Sequence, residues 1–470
     1  MKNFLFSPKR LAKKINMLGD VPDGRELYGG FLKMAWPAML ESLLLSLVNV
    51  VDSIMVSGCG TNAVAAVGLT NQPRFLFYAV FFSLSVSVTA IVARRRGQND
   101  REGANACLSQ ALGVCFVLMA VLFTVSMFVS EPLLLLAGAK PETIGDASMY
   151  FRITMVGLMF TAVGMTINAA QRGSGNTKIA MRSNAVANIT NIVFNYLLIN
   201  GVWFFPELGI AGAAVATLLG NVAAFAMSVS SLVGKDKFLS HKKLKIFRWD
   251  KTQLVILGRI TLGAGVEQIF MRIGFFIYSV IVANLGTAEI ATHTICMNIQ
   301  TLSLAFGDGL SVAASALIGQ NLGRKRPDLA TLYTKAGQRM GLSMSLLLVL
   351  AFSLLGGPIM LLFLKDGDAN FDYVYNTGRN ILFIIAAVAP ALISQVIYNG
   401  SLRGAGDTKY VAVTSAISIT LFRPVTAYLL CYTCGLGLYG AWISLLIDQY
   451  MRLAFSAYRF GTGKWAGVKI

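Results

Sequence analysis

Histidine is nearly missing from this 470-residue chain: there are two, His241 and His293. Neither has a Ser/Asp or metal-ligand partner at a useful spacing, so a hydrolytic triad or a histidine metal centre has nothing to build on. Cysteine is sparse too. Cys59, Cys107, Cys115, Cys296, Cys431 and Cys434 fall in no zinc spacing, and the CxxC at 431–434 reads as small residues packing at a membrane-helix end. Charge is scarce, at 13% of residues, and acids (22) are outnumbered by bases (40) for a net +18. No aromatic-interleaved basic face or nucleic-acid motif accompanies that charge, which excludes a nucleic-acid binder. The start, MKNFLFSPKRLAKK, is too basic and its apolar part too short for a cleavable signal, so the first helix is its own insertion signal. The reading is neither an enzyme nor a cofactor protein.

What fills the chain is apolar. Hydrophobic residues make up 55% of it, and the mean hydropathy is +0.64. Apolar runs recur from residue 32 to residue 460, each long enough to cross ~30 Å of hydrocarbon. Backbone groups in lipid must be satisfied within the segment, so continuous runs are helices, and alternating strands are excluded. Twelve spans are expected, at 32–57, 67–94, 104–130, 147–171, 177–201, 208–233, 254–284, 293–321, 333–364, 374–402, 408–433 and 437–460.

The loops sort by charge. One side receives Arg94-Arg95-Arg96, Arg172 to Arg182, the loop 234–251, Arg324-Lys325-Arg326 and Arg403 to Lys409. The other receives only Lys140 and Lys365 between spans, beside Glu131, Asp366 and Asp368. The positive-inside rule then puts both termini in the cytoplasm of a multi-pass plasma-membrane protein. The expected organisation is a basic lead-in (1–30), a first lobe (31–233), a cytoplasmic connector (234–253), a second lobe (254–460) and a tail (461–470).

The chain repeats itself. PAMLESLLLSLVNVVDSIMVSGCGTNAVAAVGLTNQ at 37–72 has a twin at 263–298: Glu41 falls on Glu267, Gly60 on Gly286, Thr61 on Thr287 and Ala65 on Ala291, without a gap. The twin of Asp52 is Tyr278. Further on, the RGSGNTK of 172–178 matches the RGAGDTK of 403–409, and Gly209-Ile210-Ala211-Gly212-Ala213 echoes Gly437-Leu438-Tyr439-Gly440-Ala441. Six spans repeating six spans keep the same orientation, so the halves relate by a two-fold axis along the membrane normal. The fold class is therefore an all-α membrane protein, with twelve helices in two pseudo-symmetric six-helix lobes.

Asp52 lies deep in the first span, where a carboxylate costs ~2.5–3.5 kcal/mol on insertion scales and by default marks an ion path. Asn184, Asn188, Asn191 and Asn195 are spaced four, three and four, which makes one stripe on span five. Four amides on one face must line a wet cavity or bond another helix. Their twins in span eleven are Ser415, Ile419, Phe422 and Thr426, so the stripe belongs to the first half alone. Glu41 stands on nearly the same face as Asp52, ~16 Å away. Arg272, Asp308, Arg423 and Asp448 also sit within spans and read as charge pairs, such as Glu267 or Asp308 with Arg272. Arg423-Pro424 reads as a kink in span eleven, because proline removes a backbone bond.

The paired motifs, the VDSIMVSGCGTNAVAAVGL stretch and twelve spans in two halves resemble the MATE (multidrug and toxic compound extrusion) family over nearly the whole chain. The resemblance implies a V-shaped pair of six-helix lobes that exports organic cations in exchange for H⁺ or Na⁺. It also implies a first-lobe cation site from Asp52, Asn191, Asn195 and Thr217. Asn195 stands where one branch of the family has an aspartate, which removes one formal charge and leaves H⁺ and Na⁺ both open. The second-lobe acidic pair of some members is incomplete: span ten offers only Gln395 and Asn399 beside Glu267. Glu41, Glu267, Asn188, Tyr196, Gln395 and Asn399 are the cavity or substrate candidates. The expected partners are small organic cations and the lipid bilayer, and the expected state is a monomer. The rival reading is a lipid-linked precursor flippase of the same superfamily, whose members carry extra spans and a strongly basic cavity.

Overall fold

A computed structural model describes residues 7–13, 15–203, 205–234, 237–246, 248–364 and 370–468. Lys365, Asp366 and Asp368, assigned above to an outer loop, lie outside these. The described residues are mostly helical, with no strand among them. A short helix, α1 (Pro8–Ala12), precedes twelve long ones: α2 (Gly24–Ser57), α3 (Thr61–Gly97), α4 (Arg101–Leu136), α5 (Ile144–Gly173), α6 (Thr177–Ile199), α7 (Gly209–Ser230), α8 (Lys251–Ala283), α9 (Thr287–Gly323), α10 (Pro327–Leu361), α11 (Phe371–Gly404), α12 (Thr408–Thr433) and α13 (Gly437–Gly461). The twelve expected spans fall on α2 to α13 in order. Among the described residues, α3 to α5 and α7 to α12 are long and apolar enough to cross a membrane. The four asparagines lower the hydropathy of α6, and Asp448, Gln449, Arg452 and Arg459 that of α13.

The chain forms two compact units, Leu40–Gly265 and Met1–Met39 with Val266–Ile470. It passes between them inside α2 and inside α8, at the same 226-residue offset as the sequence repeat. In the first unit α5 packs on α3, α4 and α7, and α6 packs on α7; in the second, α11 packs on α9, α10 and α13. Small residues permit this closeness. A Cβ at Gly173 would meet the Thr89 carbonyl at 2.7 Å, and one at its twin Gly404 would meet Ser315, the twin of Thr89.

The connector and the lead-in have parallel placements. Residues 237–246 lie along α4: Asn105 donates to the Phe238 carbonyl (2.9 Å) and accepts from the Ser240 amide (2.9 Å), and Lys245 N–H donates to Ser109 (3.0 Å). The lead-in lies on α10. Leu11 and Ala12 pack with Leu332 and Ala336, and Leu18 N–H donates to Asp328 (3.0 Å).

In α12 the expected kink takes a specific form. Pro424 has no N–H to give and clashes with the preceding turn, and the helix carries π turns on both sides, at Ala416–Phe422 and Leu429–Thr433.

Candidate cation site

The site is built within the first unit from five helices. Helix α6 is the spine, because its asparagines recur at helical spacing and so point one way. Asn184 donates to Glu41 (2.8 Å), Asn188 to the Leu44 carbonyl (3.3 Å) and Asn195 to Asp52 (2.7 Å), all on α2. Asn191 donates to Thr217 on α7 (3.3 Å) and accepts from Asn195 (3.2 Å). The four residues that the resemblance groups are thus one bonded chain, from Thr217 through Asn191 and Asn195 to Asp52.

The ends of that chain differ in how well they are satisfied. Thr217 donates on to the Ala213 carbonyl (3.0 Å). Asn195 is 1% exposed, and both its bonds use the amide nitrogen; its carbonyl oxygen is buried with no partner among the described residues. A buried acceptor left unpaired is costly, and the group that would satisfy it is a cation or a donor. Asp52 itself is partly buried, and none of the ion pairs among the described residues includes it.

Two residues that the sequence reading passed over complete the surroundings. Arg74, on α3, stands over the Tyr150 ring of α5 at 5.9 Å. Its charge acts on Asp52. The signal for Arg74 was available, because it is a guanidinium inside the expected second span, and ionisable residues there are functional flags. Tyr150 carries no such mark.

The other candidates are placed as follows. Glu41 is buried and paired with Arg172 (3.2 Å). Its twin Glu267 is buried and paired with Arg403 (2.6 Å), the twin of Arg172, and accepts from Ser415 (3.2 Å), the twin of Asn184. This corrects the expected pairing of Glu267 with Arg272. Asn399 donates to Gln395 (3.3 Å) and accepts from Ser456 (2.7 Å), with both amides buried. Tyr196 is exposed on the first unit's surface.

The second unit fills the equivalent of the Asp52 region with fixed groups. Tyr278, Asp52's twin, donates to the Ala441 carbonyl (2.9 Å). Beside it Arg423 lies 5.8 Å from the Tyr278 ring centre and is ion-paired with Asp448, which also meets Arg452 (3.4 Å) and Ser418.

Known proteins resemble this chain over most of its length. A family model described as MatE matches residues 37–197 and 264–429. The uncharacterized transporter YisQ of Bacillus subtilis is 28% identical, over 92% of this chain and 94% of that protein. The probable multidrug resistance protein NorM of Thermotoga maritima is 25% identical over 95% and 94%. The multidrug resistance protein PmpM of Pseudomonas aeruginosa is 26% identical over 91% of each. A solved structure described as the outward-facing conformation of a multidrug resistance MATE family transporter shares the fold, with a TM-score of 0.86 over 97% of this chain and 98% of that one at 21% identity.

Proposed function

The chain belongs to the MatE family of multi-pass membrane transporters, and from that premise we propose that it exports small organic cations in exchange for H⁺ or Na⁺ taken up at Asp52. The observation that carries this reading is the unpartnered Asn195 carbonyl beside an Asp52 carboxylate that is in no ion pair. Asp52, Asn191, Asn195 and Thr217 supply five side-chain oxygens, two of them from the carboxylate. Sodium takes several of them; a proton needs the carboxylate alone. We place both termini in the cytoplasm of a plasma-membrane protein, on the segregation of its loop charges.

Exchange follows from charge. Asp52 and Arg74 together are neutral, so the empty site tolerates an organic cation nearby. Loading H⁺ or Na⁺ adds one positive charge and repels that cation. The ion drives transport only through different affinities in the two access states.

The test is dye-cation efflux from proteoliposomes under imposed pH and sodium gradients, comparing wild type with Asp52→Asn. The expected result is efflux driven by one gradient in wild type and by neither in the variant. Failure of both gradients to drive wild type would sink the exporter. Equal pumping by the variant would remove Asp52 from the coupling role. Asn191→Ala and Thr217→Ala should weaken coupling at normal expression; if expression collapses, the stripe is a packing device.

A further inference from the structure

A cavity lies in the first unit, and none of the Asp52 residues lines it. It measures about 410 Å³ and is lined by Arg96 from the last turn of α3, Lys237 from the connector, Gln171, Asn176, Ile179 and Ser231, among others. Its described lining holds two cations and no acid. Arg96 rests over the Phe238 ring at 4.4 Å, and Lys237 reaches the Ser231 carbonyl (3.0 Å), so both cations are held in place.

The internal repeat shows what such a place takes when it is filled. Asn176 has Asp407 as its twin, Ile179 has Tyr410, and Ser231 has Arg459. In the second unit those twins close on one another: Arg459 donates to Asp407 (2.7 Å) and lies over the Tyr410 ring at 5.0 Å. There the carboxylate belongs to the chain and meets a guanidinium. In the first unit asparagine replaces the carboxylate, serine replaces the guanidinium, the space is open, and the cations come from Arg96 and Lys237 instead. The α6 end beside the cavity adds to this, because its first turn has no acidic residue and Asn176 makes no capping bond.

We propose that this cavity binds a phosphate-bearing anion, the headgroup of an anionic phospholipid, which takes the position that Asp407 fills in the other unit. The basic Arg94-Arg95-Arg96 turn ends α3, and the loop-charge reading puts that end at the cytoplasmic lipid surface, where anionic headgroups are concentrated. The volume accommodates a phosphate with its glycerol. This site does not depend on the transport reading, since it uses none of the Asp52 residues.

The test measures thermal unfolding and native mass spectra of the purified full chain with phosphatidylglycerol, with phosphatidylcholine and with inorganic phosphate. Two variants accompany wild type. Asn176→Asp supplies the missing carboxylate from within, as the twin does, and Arg96→Gln/Lys237→Gln removes the cations. Phosphatidylglycerol should raise wild-type Tm and stay bound where phosphatidylcholine does not. Both variants should bind it at least about tenfold more weakly, as expected for losing one or two surface-type charge contacts. Protection by inorganic phosphate alone, lost in both variants, supports the same anion chemistry from a soluble source. Equal retention of phosphatidylglycerol by wild type and Asn176→Asp, or no response of wild type to either probe, overturns the proposal.

Discussion

Asn195 gives its amide nitrogen to Asp52 across 2.7 Å and keeps its carbonyl oxygen, buried, for no residue described in the protein. Asn195→Asp would put a second carboxylate at that distance. Two carboxylates so close do not both stay ionised unless a cation sits between them. The variant is therefore expected to respond to sodium more steeply than wild type, with a midpoint for Na⁺-induced thermal stabilisation lowered by about tenfold, the effect of roughly 1.4 kcal/mol. An unchanged sodium response would mean that the Asn195 side chain does not face the ion.

Arg74 tunes the same site from a distance. Its guanidinium lies over the Tyr150 ring and acts on Asp52 without an ion pair, so it partly offsets the carboxylate. Arg74→Gln keeps a polar side chain of similar length and removes the charge. The coupling cation should then bind more tightly while dye efflux slows, because release becomes the harder step. Parallel ion-binding and efflux measurements check this; looser binding of the ion would show that Arg74 shapes the site rather than opposing its charge.

The twin pairs Glu41–Arg172 and Glu267–Arg403 make a matched stability test. Breaking a buried pair leaves an uncompensated charge, which costs ~3–5 kcal/mol when burial is full. The Glu41 pair is partly exposed, with side-chain exposures of 18% and 11%, against 20% and 3% for the Glu267 pair. Glu41→Gln is expected to cost about 2 kcal/mol and Glu267→Gln more, with each rescued by Met at its arginine. Thermal unfolding in detergent reads both. Rescue by the second substitution separates a structural pin from a substrate-facing acid, which would lose transport without losing stability.

These pairs also mark how far the sequence could be read. Helix number and order followed from run length alone, because hydrocarbon thickness sets it. Helix starts did not: α2 begins at Gly24 and α10 at Pro327, where 32 and 333 were expected, since helices continue past the hydrocarbon into polar residues. The asparagine stripe was legible from spacing. Its bonds to Asp52 and Glu41 join α6 to α2 across more than 140 residues, so no local pattern held them. Glu267 or Asp308 was offered to Arg272 because they are near in sequence, whereas the ion pair Glu267 makes is with Arg403, 136 residues away. Arg172 and Arg403 nevertheless occupy twin positions, as Glu41 and Glu267 do, so the repeat held the pairing in a form that single residues did not.

Asp52 and Asp448 should separate cleanly by what their loss does. Asp448 is fully buried, ion-paired with Arg423 and Arg452, and bonded by Ser418. Asp448→Asn would leave two guanidiniums in low dielectric facing a neutral amide, and the expected loss is about 3–5 kcal/mol, enough to lower expression severely. Asp52→Asn removes a charge that none of the arginines described pairs with directly, so the folded protein should keep its Tm within a few degrees and lose its ion response. Side-by-side unfolding curves and efflux assays decide it. If Asp448→Asn folds normally and loses coupling while Asp52→Asn unfolds, the roles assigned to the two units are exchanged: the second would hold the mobile cation and the first the fixed one.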